Sequence, residues 1–426
     1  MSYDILIKKD KYKQFFLKGN PFVKTSAEAM TEEEILETLV FTAEDEAIAT
    51  NIEIVLSGGG ATISLVGDYG TGKSVRAIAI AKTFRNHGGL VFLCKVPSGD
   101  PVRFANALFE SVCTEALSLN LPVEEKDFIF EIREYYKNLT LKKLELDSHK
   151  AGRDLASVFS ILSKNDYSTC FIIDEFEELI SAGSESEIRE AFTLTREYLS
   201  RVHGLKKHIT VICSSPKSWQ MVKDIHPAVI SRIMAEIEFQ DLDNDAAIEL
   251  VSKRLKIYRD GDAPDPLFPF TREVVERANE VAYRNPRYLL VILRSTLEAA
   301  LKREGSQKVE LQDLDTGIRL ARGKLSTSIL KRMKEELTSR EFDIFLKICE
   351  KFDGGPVFAS QLAESLDIDQ GNISRYLNKL AKMGYLDQKR EGQKVLFEAK
   401  ELYKIVFARK KAVNLEADTG KRNENE

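Results

Sequence analysis

At 426 residues the chain is longer than one ordinary hydrophobic core serves, so two or three domains are expected. Its 43% hydrophobic and 30% charged content fits a soluble globular protein; no apolar run reaches membrane-span length, and the start Met1-Ser2-Tyr3-Asp4 lacks a signal-peptide layout, so a cytoplasmic location is expected. The net charge of −5 argues neither for nor against nucleic acid, and five scattered cysteines without a C-x-x-C pair exclude a zinc site and a disulfide framework.

Residues 1–20, rich in lysine and aromatics, read as an N-terminal arm or a first strand. Asn20-Pro21-Phe22 then forces an extended segment, because the residue before proline is pushed out of the helical region. Apolar residues at three- and four-residue spacing predict helices over 32–39 and 43–56, the second closed by Ser57-Gly58-Gly59-Gly60. Ala61-Thr62-Ile63-Ser64-Leu65-Val66 reads as a buried strand. It leads into Gly67-Asp68-Tyr69-Gly70-Thr71-Gly72-Lys73-Ser74, a full match to G-x-x-x-x-G-K-[ST], and residues 75–81 read as the helix that leaves it. Strand, glycine-rich loop and helix together predict a nucleoside-triphosphate site. Glycines let the backbone wrap so that amides from Gly67 through Val75 face phosphate oxygens. Lys73 supplies positive charge to the β- and γ-phosphates, and the Ser74 hydroxyl is a magnesium ligand. The cofactors expected are therefore ATP and Mg²⁺.

A second buried strand is expected over 90–96 and an amphipathic helix over 102–119; residues 122–165 read as two or three charged helices. Thr169-Cys170-Phe171-Ile172-Ile173-Asp174-Glu175 is an apolar strand ending in a pair of acids. Asp174 is placed to hold Mg²⁺ through water, and Glu175 to orient and deprotonate the attacking water. Glu177 and Glu178 read only as the acidic start of a helix. After a helix over 185–202, a strand over 208–214 ends in Ser214-Ser215-Pro216; Ser215 is a candidate contact to the γ-phosphate or the water, or ordinary turn chemistry. Val229-Ile230-Ser231-Arg232-Ile233 follows, and then helices over 241–259, 271–283, 287–303 and 311–320 form an all-helical lid. Asn285-Pro286-Arg287 starts one of them, with proline in the first turn.

From Leu337 onward the pattern changes to helix, short helix, turn, helix and hairpin, which is a winged helix. Its candidate recognition helix presents Asn372, Ser374, Arg375, Asn378 and Lys379, and its wing carries Lys389 and Arg390. Helix N-terminal residues of this kind reach base edges in a major groove, and wing cations meet phosphate. Arg409, Lys410 and Lys411 extend the basic character. The alternative is that this module docks a protein partner through the same surface.

With these motifs in place the chain resembles the AAA+ ATPases of the initiator type, as in archaeal origin-recognition proteins. The resemblance implies an α/β P-loop domain with a parallel sheet over 21–238, a helical lid over 239–328, a winged helix over 329–411 and a structureless tail over 412–426. It implies that Arg232 is an arginine finger reaching the nucleotide of a neighbouring copy, so self-association is expected. It implies that Arg287 is the lid arginine that senses the γ-phosphate, and that Asn20-Pro21-Phe22 packs near the adenine. Slow ATP hydrolysis would switch the hold on double-stranded DNA, in replication initiation or a related transaction. The alternatives are a transposition-regulator ATPase and a signalling ATPase whose winged helix docks a partner.

Overall fold

The computed structural model describes residues 9–97, 100–181, 184–392 and 394–407. The expected tail over 412–426 and the cations Arg409, Lys410 and Lys411 lie outside the described residues. The chain divides into two compact units, residues 1–314 and 315–426. None of the described helices is long and apolar enough to cross a membrane.

The first unit is built on five parallel strands: β1 (Gly60–Val66), β2 (Leu90–Lys95), β3 (Thr169–Asp174), β4 (His208–Ser214) and β5 (Ala235–Glu238). They lie in the order β2-β3-β4-β1-β5. Parallel strands need helical crossovers, so both faces are covered and the strands carry near-continuous apolar runs. The side-chain alternation is explicit. Ile63, Leu65, Cys170, Ile172, Ile209 and Val211 face helices Ala43–Leu56 and Lys73–Asn86, through Ile48, Ile52, Ala77, Ile80 and Phe84. Phe171, Ile173 and Ile212 face the other layer, where Phe104, Phe109, Phe159 and Tyr198 pack. That layer is made by helices Pro101–Ser118, Val123–Lys142, Ser148–Lys164 and Glu185–Val202. Burying each of these large side chains stabilises the fold by about 1.5–3 kcal/mol.

Three features depart from the sequence reading. Residues 9–22 are neither a free arm nor a strand of the sheet. They form a 3₁₀ turn, Lys9–Phe15, and Phe15 and Leu17 are fully enclosed. Phe15 and Phe16 meet the edge of Phe268 at 6.3 and 5.7 Å, and Phe22 meets Phe270 at 5.6 Å, so aromatic burial against the lid fixes this segment. Strand β5 and the helix Pro216–Ile225 also occupy a region that carried no assigned element. Finally, the lid helix expected over 311–320 continues to Glu336, through Gly323, and the unit boundary falls inside it.

In the second unit, helices Ser339–Lys351, Ala359–Leu366 and Gln370–Lys382 pack beside three antiparallel strands, β6 (Val357–Phe358), β7 (Leu386–Glu391) and β8 (Lys394–Ala399), in the order β6-β8-β7. Leu386 pairs with Ala399 and Glu391 with Lys394, and the tip carries Gly392 at φ 62. A closing helix, Glu401–Phe407, was not anticipated; it brings Tyr403 to 5.6 Å from Phe345 and Phe407 to 5.9 Å from it.

Candidate nucleotide site and nucleic-acid interface

The carboxyl ends of β1, β3 and β4 converge on one side of the first unit, and the candidate nucleotide site is assembled there. β1 runs into the loop from Gly67 to Ser74. Gly70 (φ 88) and Gly72 (φ 99) take left-handed conformations that a side chain disfavours. Gly70 has a second reason to be glycine, since a Cβ there would lie 2.8 Å from Arg287 Cβ and 2.9 Å from Asn285 Oδ1. Gly72 caps the loop helix without a side-chain bond, and the first turn holds no acid. The helix therefore points its first-turn amides and its positive dipole end where an anion would sit. Lys73 is buried and folds back on the loop, donating to the Gly67 carbonyl at 2.6 Å and the Asp68 carbonyl at 3.1 Å. Thr71 Oγ1 also donates to the Asp68 carbonyl, at 2.8 Å. Ser74 is half-buried on the first turn, beside Lys73, and Val75 follows it.

β3 delivers the acids. The Asp174 carboxylate accepts the Glu175 amide at 2.9 Å. Glu175 sits at φ 57, a left-handed conformation rare outside glycine, and the turn lets the Phe176 amide reach the Cys213 carbonyl at the tip of β4, at 3.0 Å. The Glu175 carboxylate is gripped by Lys95, the last residue of β2, at 3.1 Å, and Lys95 also reaches Glu28 at 3.6 Å. The hydrogen bond to Glu175 holds the Lys95 ammonium above its ordinary pKa. At the end of β4, Ser215 caps the helix Pro216–Ile225, accepting the Ser218 amide at 3.3 Å and bonding the Ser218 hydroxyl at 2.9 Å. Its hydroxyl is thus engaged in turn chemistry.

The lid reaches directly over the loop. Asn285 caps the helix Pro286–Ala300, its Oδ1 accepting the Arg287 amide at 3.0 Å and the Tyr288 amide at 3.2 Å. Its Nδ2 donates to the Tyr69 carbonyl at 2.9 Å, and the Arg287 guanidinium lies 4.5 Å from the centre of the Tyr69 ring. Loop and lid are therefore clasped, and Arg287 stands beside the phosphate loop. Asn20 joins the same lid helix, donating to the Arg294 carbonyl at 3.1 Å. Arg232 lies on the turn between the short helix Pro227–Ile230 and β5; its Nε is enclosed, with no hydrogen-bond partner among the described residues.

Two residues escaped the sequence reading. Arg76, one turn into the loop helix, makes a two-pronged ion pair with Asp45 (2.9 and 3.2 Å), donates to the Val40 carbonyl at 3.1 Å and lies over Phe239. It ties the segment before the sheet to the loop helix. Glu177, read as the acidic start of a helix, does precede the short helix Glu178–Ser181, but its Oε2 is enclosed with no hydrogen-bond partner among the described residues, and burial raises its pKa.

Magnesium suits these residues. It takes oxygen ligands, keeps several waters and borrows the rest from phosphates, so one hydroxyl and one carboxylate suffice. Ser74 and Asp174 would be those two groups. Among the described residues no cluster of three or more His, Cys, Asp or Glu side chains is arranged to hold a metal by itself.

In the second unit Asn372, Arg375, Lys389 and Arg390 are exposed and Ser374 is half-buried. The other two candidates are already engaged. Asn378 accepts from Gln388 at 2.8 Å, locking the helix to the wing, and Lys379 pairs with the buried Glu341 at 2.5 Å. Burial works against ionisation of Glu341, but its bonds to Lys379 and Thr338 outweigh it and hold the carboxyl below its ordinary pKa. Lys379 therefore fastens the recognition helix to the helix behind it.

Residues 346–388 match the family described as bacterial regulatory protein, arsR family. An uncharacterised HTH-type transcriptional regulator of Methanocaldococcus jannaschii is 23% identical over 360 residues, 83% of this chain and 84% of that one. A second uncharacterised HTH-type regulator, from Bacillus cereus, is 39% identical over 67 residues, 16% of this chain and 42% of its own. Among solved structures, the Aeropyrum pernix ORC2 protein in its ADPNP–ADP complexes superposes with a TM-score of 0.54, at 13% identity, over 85% of this chain and 91% of that one. The likeness to an archaeal origin-recognition protein expected from the motifs is borne out in the fold: this chain has the AAA+ type of parallel-sheet P-loop fold with a helical lid, followed by a winged helix.

Proposed function

We propose that this protein is an ATP-hydrolysing AAA+ switch that binds double-stranded DNA through its winged helix. The observation that carries the reading is the clasp. A complete phosphate loop at the end of β1 shares one side of the sheet with Asp174 and Glu175 at the end of β3, across β4, and a lid arginine lies over the Tyr69 ring of that loop. In this reading Lys73 leaves the Gly67 carbonyl for the β- and γ-phosphates, while loop amides up to Val75 bind phosphate oxygens. Magnesium, held by Ser74 and Asp174, supplies charge neutralisation on the same phosphates. Glu175 accepts the proton of the attacking water as its oxygen bonds to the γ-phosphorus, and the bond to the bridging oxygen of ADP breaks. Arg232 completes the charge stabilisation from a neighbouring copy.

Arg287 is the sensor in this scheme, moving from the Tyr69 ring to the γ-phosphate. Arg287→Ala is expected to bind a fluorescent ATP analogue nearly as wild type does and to lose most turnover in a phosphate-release assay. Unchanged turnover would remove the sensor role.

The transaction served is replication initiation or a related process. The similarity to two HTH-type transcriptional regulators favours a second reading, in which the same switch controls transcription. Full-length protein titrated onto duplex DNA with ATP, with ADP and without nucleotide tests the common core of both. Different affinities in the ATP and ADP states are expected, each falling with salt. Lys389→Ala/Arg390→Ala should flatten the logarithmic salt slope by about 2, since each lost phosphate contact removes about 0.9. Binding indifferent to both salt and nucleotide would sink the proposal and favour a protein-docking module.

A further inference from the structure

Glu177, three residues past Asp174, is an acid to which the scheme above gives no work. Phe176 is sandwiched between Phe192 (5.7 Å, stacked) and the edge of Phe104 (6.3 Å), and its amide is anchored on the Cys213 carbonyl. Glu177 follows directly and stands at the start of the short helix Glu178–Ser181, its carbonyl accepting the Ile180 amide at 3.0 Å. The charges acting on its carboxyl are Lys73, Asp174 and Glu175, which places it with the phosphate-binding lysine and the acidic pair. Its Oε2 is enclosed and has no partner among the described residues. Leaving a buried acceptor unmade is costly, more so if it is charged. Lys73, the cation that acts on it, already donates to two loop carbonyls. A ligand can supply the missing donor. A magnesium ion bound to nucleotide keeps several polarised waters, which are strong donors to a carboxylate one shell out.

We infer that Glu177 accepts a hydrogen bond from a water of the nucleotide-bound magnesium, and so is a positioning residue of the phosphate site. The inference rests on the nucleotide reading proposed above. Its test is a magnesium titration of fluorescent mant-ATP binding by the full-length protein, for wild type, Glu177→Ala and Glu177→Gln, with an EDTA arm. The expected result is equal mant-ATP binding in EDTA and a half-saturating magnesium concentration raised about tenfold in Glu177→Ala. Glu177→Gln, which keeps a carbonyl acceptor and the side-chain shape, should shift it less. If Glu177→Ala does not fold, a shifted midpoint in Glu177→Gln supports the inference and an unshifted one overturns it. Variants that weaken binding equally with and without magnesium, at an unchanged midpoint, also overturn it and leave Glu177 a packing role. Should wild type itself fail to bind mant-ATP, the nucleotide reading falls and this inference with it.

Discussion

Lys73→Ala is expected to weaken nucleotide binding by about 10²- to 10⁴-fold while leaving the fold intact. The magnitude follows from what the ammonium does in each state. In the structure it donates only to carbonyls of its own loop, Gly67 at 2.6 Å and Asp68 at 3.1 Å. With nucleotide present the same donors meet charged phosphate oxygens in an enclosed site. Two charge-assisted bonds of about 1.5–3 kcal/mol each give about 3–6 kcal/mol, which is the range stated. The free protein loses less, because there the ammonium meets neutral carbonyls and not charged phosphate oxygens. Two measurements separate the cases. Thermal melting without nucleotide should be close to wild type. Added ATP should stabilise wild type by about 2.7 kcal/mol at one hundred times its dissociation constant, and the variant by almost nothing at the same concentration. A variant that still melts higher with ATP would show that the helix amides alone carry the affinity.

The parts of this site that could be read from sequence are those carried by contiguous residues. The loop from Gly67 to Ser74 needs its glycines within a few positions of one another, and the apolar run before Asp174 advertises a buried parallel strand. Asn285-Pro286-Arg287 combines a cap, a first-turn proline and a cation in three adjacent positions, and the structure uses the cap and the cation on the loop. The winged helix was legible for the same reason, since its hairpin alternates and turns at a glycine. What escaped depends on pairings across the fold. Arg76 and Asp45 are thirty-one residues apart, and nothing local says that one salt-bridges the other. Lys379 has the position of a DNA contact in the helix pattern, yet Glu341 on another helix takes its charge. β5, Ala-Glu-Ile-Glu, buries only Ile237, too short a signal to separate from a turn. Ser215 shows the opposite failure. Its sequence allowed both a phosphate contact and a helix cap, and the geometry supplies the cap. Glu177 does stand at the start of a helix, Glu178–Ser181; what its neighbours in sequence did not reveal is that its own carboxyl oxygen is enclosed.

Glu175 is the residue whose loss should silence chemistry and spare binding. Glu175→Gln keeps the shape and the left-handed backbone but removes the group that takes the proton from water. General-base catalysis is worth about 10²–10⁴ in rate, so turnover should fall by that factor while mant-ATP affinity stays near wild type. The structure adds a condition. Glu175 is paired with Lys95 at 3.1 Å, and the carboxylate must leave that ammonium to take a proton from water. Lys95→Met should therefore raise single-turnover hydrolysis, and Glu175→Gln/Lys95→Met should be as silent as Glu175→Gln alone. The double variant decides the matter. If Lys95 acted on phosphate directly, its removal would lower hydrolysis in the wild-type background and lower it again in the Glu175→Gln background. If it acts by restraining Glu175, its effect disappears once that carboxylate is gone. The partly exposed pair also competes with Glu28 for the same ammonium, so salt should mimic the Lys95 variant in part, raising basal turnover in wild type and leaving Lys95→Met unmoved.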